Sequence, residues 1–460
     1  MLMKRMQEER WGSYIVGKVL GKGAYGEVRE SLQPPSLAIK RFLSIDQGLD
    51  SPGEIAIALQ ASHPHIIQAR EYFTQDNQDY LVMELADTNL QEYLFSTFPS
   101  NKERIRLFYQ LVSAVTYLQD NGFYHCDIKP LNVLIKDGQI KLGDLGLAKY
   151  KNVLGNTCQS FASPQRVSHN YRASGVTVKV DTDLQNIFFE GGDNFADDVW
   201  ALGITFVFLL TGRILFYEVE TGQQVVDGIQ AYIRKPREYL LQNALPERWI
   251  NLVLQMLEPS RKLRLPLARD ILLQPEFVKR GLQTPLPGYA PVFYHLSLPK
   301  SFAPNVQMAA RWMKQLMDDE NQNSFVLHAA ITLFYYMKDF PSPDPKVGSR
   351  IKLLACACIS LMNSLYSAFS VDLYELLYRA QHTFTPEQLF VEERRILGKL
   401  KGRLYFVTLP KLAFSERAVE KSNTLLLDTG NYLVTNLEEY MKGLAQEETI
   451  EERNNRLPVW

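Results

Sequence analysis

Gly21, Gly23 and Gly26 lie at the spacing Gly-x-Gly-x-x-Gly in the segment Gly21-Lys-Gly23-Ala-Tyr-Gly26-Glu-Val28. Glycines so placed let a backbone approach phosphates closely, and the apolar residues on either side suit the two strands of a hairpin. The spacing alone is more often an ordinary turn. No helix pattern comes after it; the chain runs instead in the strand-like alternation Leu37-Ala-Ile39-Lys40. Lys40, fourteen positions after the last glycine, stands among apolar residues from which its amine can reach phosphates held under the loop. A second cluster, His125-Cys-Asp127-Ile-Lys129-Pro-Leu-Asn132, is followed twelve residues after Asn132 by Asp144-Leu-Gly146. Phosphoryl transfer needs this inventory. One carboxylate accepts or orients the proton of the acceptor hydroxyl, an amide oxygen and a second carboxylate hold Mg2+, and cations offset the charge on the transferred group. Asp127 supplies the first, Asn132 and Asp144 the second, Lys129 and Lys40 the third. Each of these residues taken singly is by default a cap, a turn residue or a solvated charge; the ordered set carries the chemistry.

Positioning such a set takes more than one small module, and 460 residues allow two or three domains. Hydrophobic residues at 46% and charged ones at 22% are a globular balance, which excludes a largely disordered chain. Fifty Lys plus Arg against fifty-one Asp plus Glu leave a net charge of -1, which removes a global drive toward nucleic acid or anionic membrane. The four cysteines show no zinc or disulfide spacing, and the start, Met1-Leu-Met-Lys-Arg, has neither an apolar leader segment nor a glycine for myristoylation. An intracellular setting, cytoplasmic or nuclear, is therefore expected. The apolar run from Val199 to Gly212, about fourteen residues, is shorter than the ~20 needed to cross a bilayer and reads as a buried core helix. Strand-like and then helical patterns precede Gly281. From there to Asn305 five prolines mark a linker, and beyond it apolar-periodic stretches alternate with short breaks, as in an all-helical bundle.

On the glycine loop, Lys40, Asp127-x-Lys129-x-x-Asn132 and Asp144-x-Gly146, the chain resembles the eukaryotic-type protein kinases over about residues 11–279. The resemblance implies an α+β bilobal fold, with a small β-rich N-lobe over about 11–84 and a helical C-lobe over about 85–279. It implies ATP and Mg2+ as cofactors and protein substrates, with no nucleic acid and no membrane. Lys40 would bind the ATP phosphates while paired to Glu54, Asp127 would be the catalytic base, and Asn132 and Asp144 would hold the metal. Lys129 has the placement typical of Ser/Thr kinases. Gly21, Gly23, Gly26, Val28, Ala38 and Leu134 would enclose the nucleotide with Met83, Glu84, Leu85 and Ala86 as gatekeeper and hinge. Asp198-Val-Trp-Ala-Leu-Gly203 resembles the buried helix that anchors the catalytic loop, and Arg264 the arginine that braces the end of the activation segment.

The chain departs from the family pattern in several places. The usual His-Arg-Asp is His125-Cys126-Asp127, which removes the arginine that receives a loop phosphate and leaves Cys126, expected to be buried and inert. Asp144-Leu145-Gly146 replaces Asp-Phe-Gly, and Ser163-Pro164-Gln165 replaces Ala-Pro-Glu, with Cys158 at the substrate-adjacent threonine. Residues 166–197 exceed the family's usual length, so an insertion is expected over about 167–194. The Glu54 segment and the short hinge look like the cyclin-dependent kinases, in which Ala24-Tyr25 would occupy the paired inhibitory positions. Residues 308–316, 324–337, 351–362 and 384–397 resemble, in order, cyclin-box helices. Glu393 matches the kinase-gripping glutamate, with a solvated surface role as the alternative, and Ser364 stands where its lysine partner is usual. The expected organisation is an N-terminal extension 1–10, a kinase domain 11–279, a Pro-rich linker 280–305, a cyclin-like helical domain 306–443 and an acidic tail 444–460. The cyclin-like domain would contact the kinase intramolecularly and position the Glu54 helix, or else bind a further protein or a second copy. The reading from a different class is a pseudokinase scaffold that binds partners through its helical domain.

Overall fold

The structure is a computed structural model that describes residues 9–23, 26–42, 51–76, 78–146, 148–150, 195–213, 215–216, 222–260, 262–288, 304–317, 324–337, 347–366, 373–402 and 404. The Ala24-Tyr25 pair, the 157–165 segment, the 167–194 insertion and the tail from 405 onward lie outside those residues. The chain divides into two units. The first comprises Met1–Lys151, Gly155–Pro291 and Lys401–Arg403; the second comprises Asn152–Leu154, Val292–Leu400 and Leu404–Trp460.

The first unit opens with strands β1 (Arg10–Trp11), β2 (Tyr14–Gly23), β3 (Gly26–Gln33) and β4 (Leu37–Phe42), then helix α1 (Ser51–Gln60), β5 (Ala69–Gln75) and β6 (Gln78–Glu84). The strands form one antiparallel sheet in the order β1-β2-β3-β4-β6-β5. Side chains alternate across a strand, and β4 uses both faces. Leu37 and Ile39 join Trp11, Tyr14, Val16, Tyr80 and Val82 in an apolar cluster backed by Phe73. Ala38 and Lys40 alternate to the opposite face, where the ladders pair Lys40 with Val28 and with Leu81, and Ala38 with Met83.

Beyond the sheet come β7 (Thr88–Asn89), α2 (Leu90–Thr97), α3 (Asn101–Asp120), β8 (Phe123–Tyr124), β9 (Val133–Lys136), β10 (Gln139–Leu142), β11 (Lys149–Tyr150) and α4 (Phe195–Thr211). Asn89 and Ser100 cap α2 and α3 by accepting from the N–H of Glu92 and Glu103. Lys136 pairs with Gln139 across Asp137-Gly138, whose φ values of 51° and 69° make the two-residue turn that an Asp-Gly pair favours; Leu134 pairs with Lys141 near the open end of this hairpin, and Asp144 follows two residues after β10. The apolar run expected as a core helix is α4. Its Phe206 stacks on Phe108 of α3 with centroids 4.1 Å apart and meets Trp249 edge-on at 5.1 Å. Among the described residues no helix is long and apolar enough to cross a membrane.

Described helices of the second unit span Pro304–Met317, Ser324–Met337, Val347–Tyr366, Leu373–Arg379 and Pro386–Lys399. The longest carries Ala355-Cys356-Ala357-Cys358, all fully buried, and small side chains let neighbouring helices come close. Thr385 and Gln388 form a reciprocal capping box with Pro386 in the first turn, a sequence signal that starts the last helix where it starts.

Candidate active site

Lys40 is brought to the site by the register of β4 and is 7% exposed. Its Nζ lies 2.5 Å from Glu54 Oε1 on α1 and 3.3 Å from Asp144 Oδ1. Burial alone would discharge the amine, but the two carboxylates outweigh it and hold its pKa above the usual lysine value. Asp144 is likewise pulled below the usual aspartate value by Lys40 against the cost of burial. Its side chain keeps 38% of its surface open. That opening suits an oxygen that binds an incoming group.

Asp127 is 8% exposed and its two oxygens have different surroundings. Oδ2 accepts from Lys129 Nζ at 2.9 Å and from Asn132 Nδ2 at 2.7 Å, while buried Oδ1 has no hydrogen-bond partner among the described residues. A buried acceptor without a partner is costly, and a catalytic role, a water or an ion are the usual reasons for one. Asn132 spends its Nδ2 on Asp127, on both the side chain and the main-chain carbonyl, so neither bond uses its Oδ1. Asn132 Oδ1 and the open Asp144 carboxylate are hard oxygen donors of the kind Mg2+ takes. Among the described residues no group of three or more His, Cys, Asp or Glu could hold a metal ion. These two donors fit a magnesium ion that draws its other ligands from phosphate and water.

The loop that carries Asp127 is held from below. Cys126 has φ +63°, a left-handed conformation unusual for a side chain with a Cβ, and it is half-buried rather than buried as expected. Asp198 on α4 accepts from the N–H of His125 at 2.8 Å and of Cys126 at 3.0 Å, one bond to each oxygen. His125 is fully buried and kept neutral, since burial lowers its pKa; Nδ1 accepts from the Asp127 N–H and Nε2 donates to the Gly143 carbonyl at 3.0 Å. Through this ring the Asp127 loop is tied to the turn before Asp144.

Burial and the neighbouring Asp197 push Asp198 up to about 7 against the two N–H bonds. With the unfolded value near 3.9, the native state binds the extra proton between about pH 4 and 7, so this contribution to stability is lost as pH rises through that window. Asp198→Asn has one carbonyl oxygen for two donors and should cost about 1–3 kcal/mol. The stability advantage of the native chain over this variant should therefore shrink from pH 4 to 7, as thermal unfolding at several pH values will read. An advantage that grows with pH would contradict the assignment.

Gly146 lies directly under the pair. A Cβ there would stand 2.9 Å from Glu54 Oε2 and 3.2 Å from Asp144 Oδ1. Gly146→Ala should push Glu54 off Lys40 and lower turnover about 10- to 100-fold, measured as kcat with the unfolding midpoint as control.

The remaining expected residues divide. Gly21 has nothing within 4 Å of a built Cβ, leaving its backbone open to a ligand. At Gly26, with φ +150°, a Cβ would collide with the Arg41 carbonyl, so this glycine is required by the approach of β4. Gly23 pairs with Gly26 at the loop's base. Val28, Met83 and Leu134 are half-buried and Ala38 buried. Glu84 turns its carboxylate to Lys136 at 2.9 Å, Lys141 at 2.8 Å and the Gln68 N–H at 3.0 Å, where it clamps β6 to β9 and β10. Its own N–H donates to Gln68 and that of Leu85 to Ser36, so neither N–H is left for a ligand edge. The Glu84 clamp was not legible, because its partners lie fifty residues away in sequence. Arg264 bonds the carbonyls of Ala196, Glu258 and Pro259 and lies 3.5 Å from Asp197, bracing the start of α4. Gln165, in the activation-segment end that Arg264 is expected to brace, lies outside the described residues.

The family model described as the protein kinase domain matches residues 14–277. CBL-interacting protein kinase 17 of Oryza sativa subsp. japonica is 31% identical over 226 residues, 47% of this chain and 47% of the rice protein. Serine/threonine-protein kinase stk11 of Xenopus laevis is 30% identical over 231 residues, covering 46% of this chain and 50% of its own length. Serine/threonine-protein kinase cds1 of Schizosaccharomyces pombe is 29% identical over 215 residues, 46% and 44%. The chain spans about half the length of the curated relatives it matches.

Proposed function

Because this chain belongs to the protein kinase family, we propose that it is a Ser/Thr protein kinase that transfers the γ-phosphate of ATP to hydroxyls of protein substrates. The observation that carries this reading is the divided carboxylate of Asp127. Oδ2 is pinned by Lys129 and Asn132, which aims the open Oδ1 at whatever donates to it. A substrate hydroxyl would donate there, lose its proton to Oδ1 as its oxygen bonds to the γ-phosphorus, and the bond from that phosphorus to the bridging oxygen of ADP would break. Asn132 and Asp144 would hold Mg2+, which supplies charge neutralisation along the phosphates. Lys40, fixed by Glu54, would contact the α- and β-phosphates, and Gly21 would let the loop backbone close over them. The adenine edge would meet main-chain groups of the hinge, with the N–H of Ala86 in place of those spent at Glu84 and Leu85. Lys129 and the relatives' own names support a Ser/Thr acceptor.

The finer reading is that the kinase is cyclin-dependent-kinase-like and that residues 306–443 are a built-in cyclin-like activator of the Glu54 helix. Helices at Pro304–Met317, Ser324–Met337, Val347–Tyr366 and Pro386–Lys399 coincide with the four segments that resemble cyclin-box helices. Glu393 is 6% exposed. The relatives compared are kinases of other names, so the kinase likeness rests on the Glu54 segment and the short hinge, and the cyclin likeness on those four segments. A purely scaffolding protein would have no use for an open, buried base beside a formed Lys40–Glu54 pair. The test is Mg-ATP-dependent phosphate transfer by the full chain to a generic basic protein.

A further inference from the structure

α1 is covered on all sides: no residue from Gly53 to Gln60 is exposed, with Ile55 and Ala56 at 0%. A helix lying on one face of a sheet buries one stripe; one that is apolar all round needs cover on its other faces as well. Part of that cover comes from far along the chain. Gly402, buried and with φ +73°, belongs to the first unit, and its backbone lies so close to α1 that a Cβ would run into Leu59 Cδ1, with Ile55 Cγ2 at 3.0 Å and Tyr72 Cβ of β5 at 3.3 Å. Lys401 before it has φ +51°, so two consecutive left-handed residues make the turn that lays Gly402 flat on the helix.

A second described segment of the first unit, residues 284–288, is anchored beside the end of α1 as well. Tyr109 donates to the Thr284 carbonyl at 2.6 Å, and the Leu286 N–H to Ser113 Oγ at 3.0 Å, which fixes the chain along α3. The Leu286 carbonyl then meets His63 Nε2 at 3.1 Å. A Cβ on Gly288 would collide with the Tyr117 ring and approach the Ser62 carbonyl, two residues past the end of α1. Residues 284–288 thus lie beside the C-terminal end of the Glu54 helix, and Lys401-Gly402 on its flank, all within the first unit.

We propose that Gly402 is a positioning residue for Glu54, one end of a two-point strap, closed at the other end by residues 284–288, that holds α1 inward against Lys40. This rests on the reading of Lys40 and Glu54 as the phosphate-binding pair and names how that pair is kept formed. A side chain at 402 drives α1 away from the strap or the strap away from α1; either way the helix loses cover and Glu54 its fixed distance from Lys40.

The test uses the full chain with Gly402→Ala, the double variant Gly402→Ala/Leu59→Ala, and Gly398→Ala as control, since nothing lies within 4 Å of a Cβ at 398. Amide exchange of residues 51–60 and kcat per folded molecule are measured together. Expected is faster exchange confined to 51–60 and a kcat at least tenfold lower in Gly402→Ala, with both returned toward the native values by removing the Leu59 side chain, and no change in Gly398→Ala. A purely structural role would lower the unfolding midpoint without confining faster exchange to α1 or changing the rate per folded molecule. Unchanged exchange in 51–60, or a double variant no better than the single one, overturns the strap. If Gly402→Ala does not fold, the double variant must fold and protect α1, or the proposal fails. If the native chain transfers no phosphate, the kinase reading fails while the exchange comparison still decides the strap.

Discussion

Replacing Asp127 with asparagine should lower phosphate transfer about a thousandfold while ATP still binds, within the 10²–10⁴ range that a positioned base contributes. The expectation rests on the asymmetry of its surroundings. Lys129 and Asn132 hold Oδ2, so the side chain cannot rotate its open oxygen away, and Oδ1 is buried with no partner among the described residues. Asparagine keeps the shape but cannot take a proton, and it removes the Asp127 charge 2.9 Å from the half-buried Lys129. The nucleotide contacts ascribed to Lys40 and the hinge are untouched. Calorimetry should therefore give ATP affinity within a few-fold of the native value, and a radiolabel assay a kcat near background. Transfer within tenfold of the native rate would mean that Asp127 is not the base.

Lys40→Met should be the most damaging change to both rate and fold. It strips the cation from between two carboxylates and leaves Glu54, 6% exposed, with its strongest partner gone. Removing one member of a buried pair costs about 3–5 kcal/mol, whereas removing both can be near neutral. Lys40→Met should thus lower stability at pH 7 by about that amount, and Lys40→Met/Glu54→Met should recover much of it while transfer stays at background. The pH dependence has a definite sign. Asp144 is held below its usual value, so its contribution is present above about pH 4 and lost as pH falls through the native value. The raised Lys40 keeps its contribution throughout this range. The stability gap between the native chain and Lys40→Met should accordingly narrow on acidification below about pH 4, and chemical unfolding at pH 7 and pH 3 will read it.

The residues proposed to carry the chemistry are legible as an ordered set because phosphoryl transfer calls for those types. The sheet register then puts Lys40 level with Val28, and α1 puts Glu54 within 2.5 Å of it. The core helix at 195–211 was legible from an apolar run too short for a bilayer. What sequence did not disclose depends on contacts between distant segments. Glu84 looks like a hinge residue, and only the fold shows its carboxylate spent on Lys136 and Lys141. Gly26 belongs to a phosphate-loop spacing, yet the Arg41 carbonyl is what excludes a side chain there. Gly288 and Gly402 sit in stretches without periodicity, where a lone glycine has no reading until the chain path is known. Helices of the second unit were legible from apolar spacing, but spacing does not separate one helical fold from another. Cys126 illustrates the converse: residue type suggested burial, but it is half-buried, and its left-handed backbone, bonded to Asp198 of α4, could not be read from sequence.

The most direct measurement is transfer of labelled γ-phosphate from Mg-ATP to a basic protein acceptor by the purified full chain, with Asp127→Asn prepared alongside and the labelled amino acid identified. The account predicts Mg2+-dependent label on serine or threonine from the native chain and none above background from the variant. Equal labelling by both, or none from a folded native chain that binds ATP over a panel of acceptors, would contradict it.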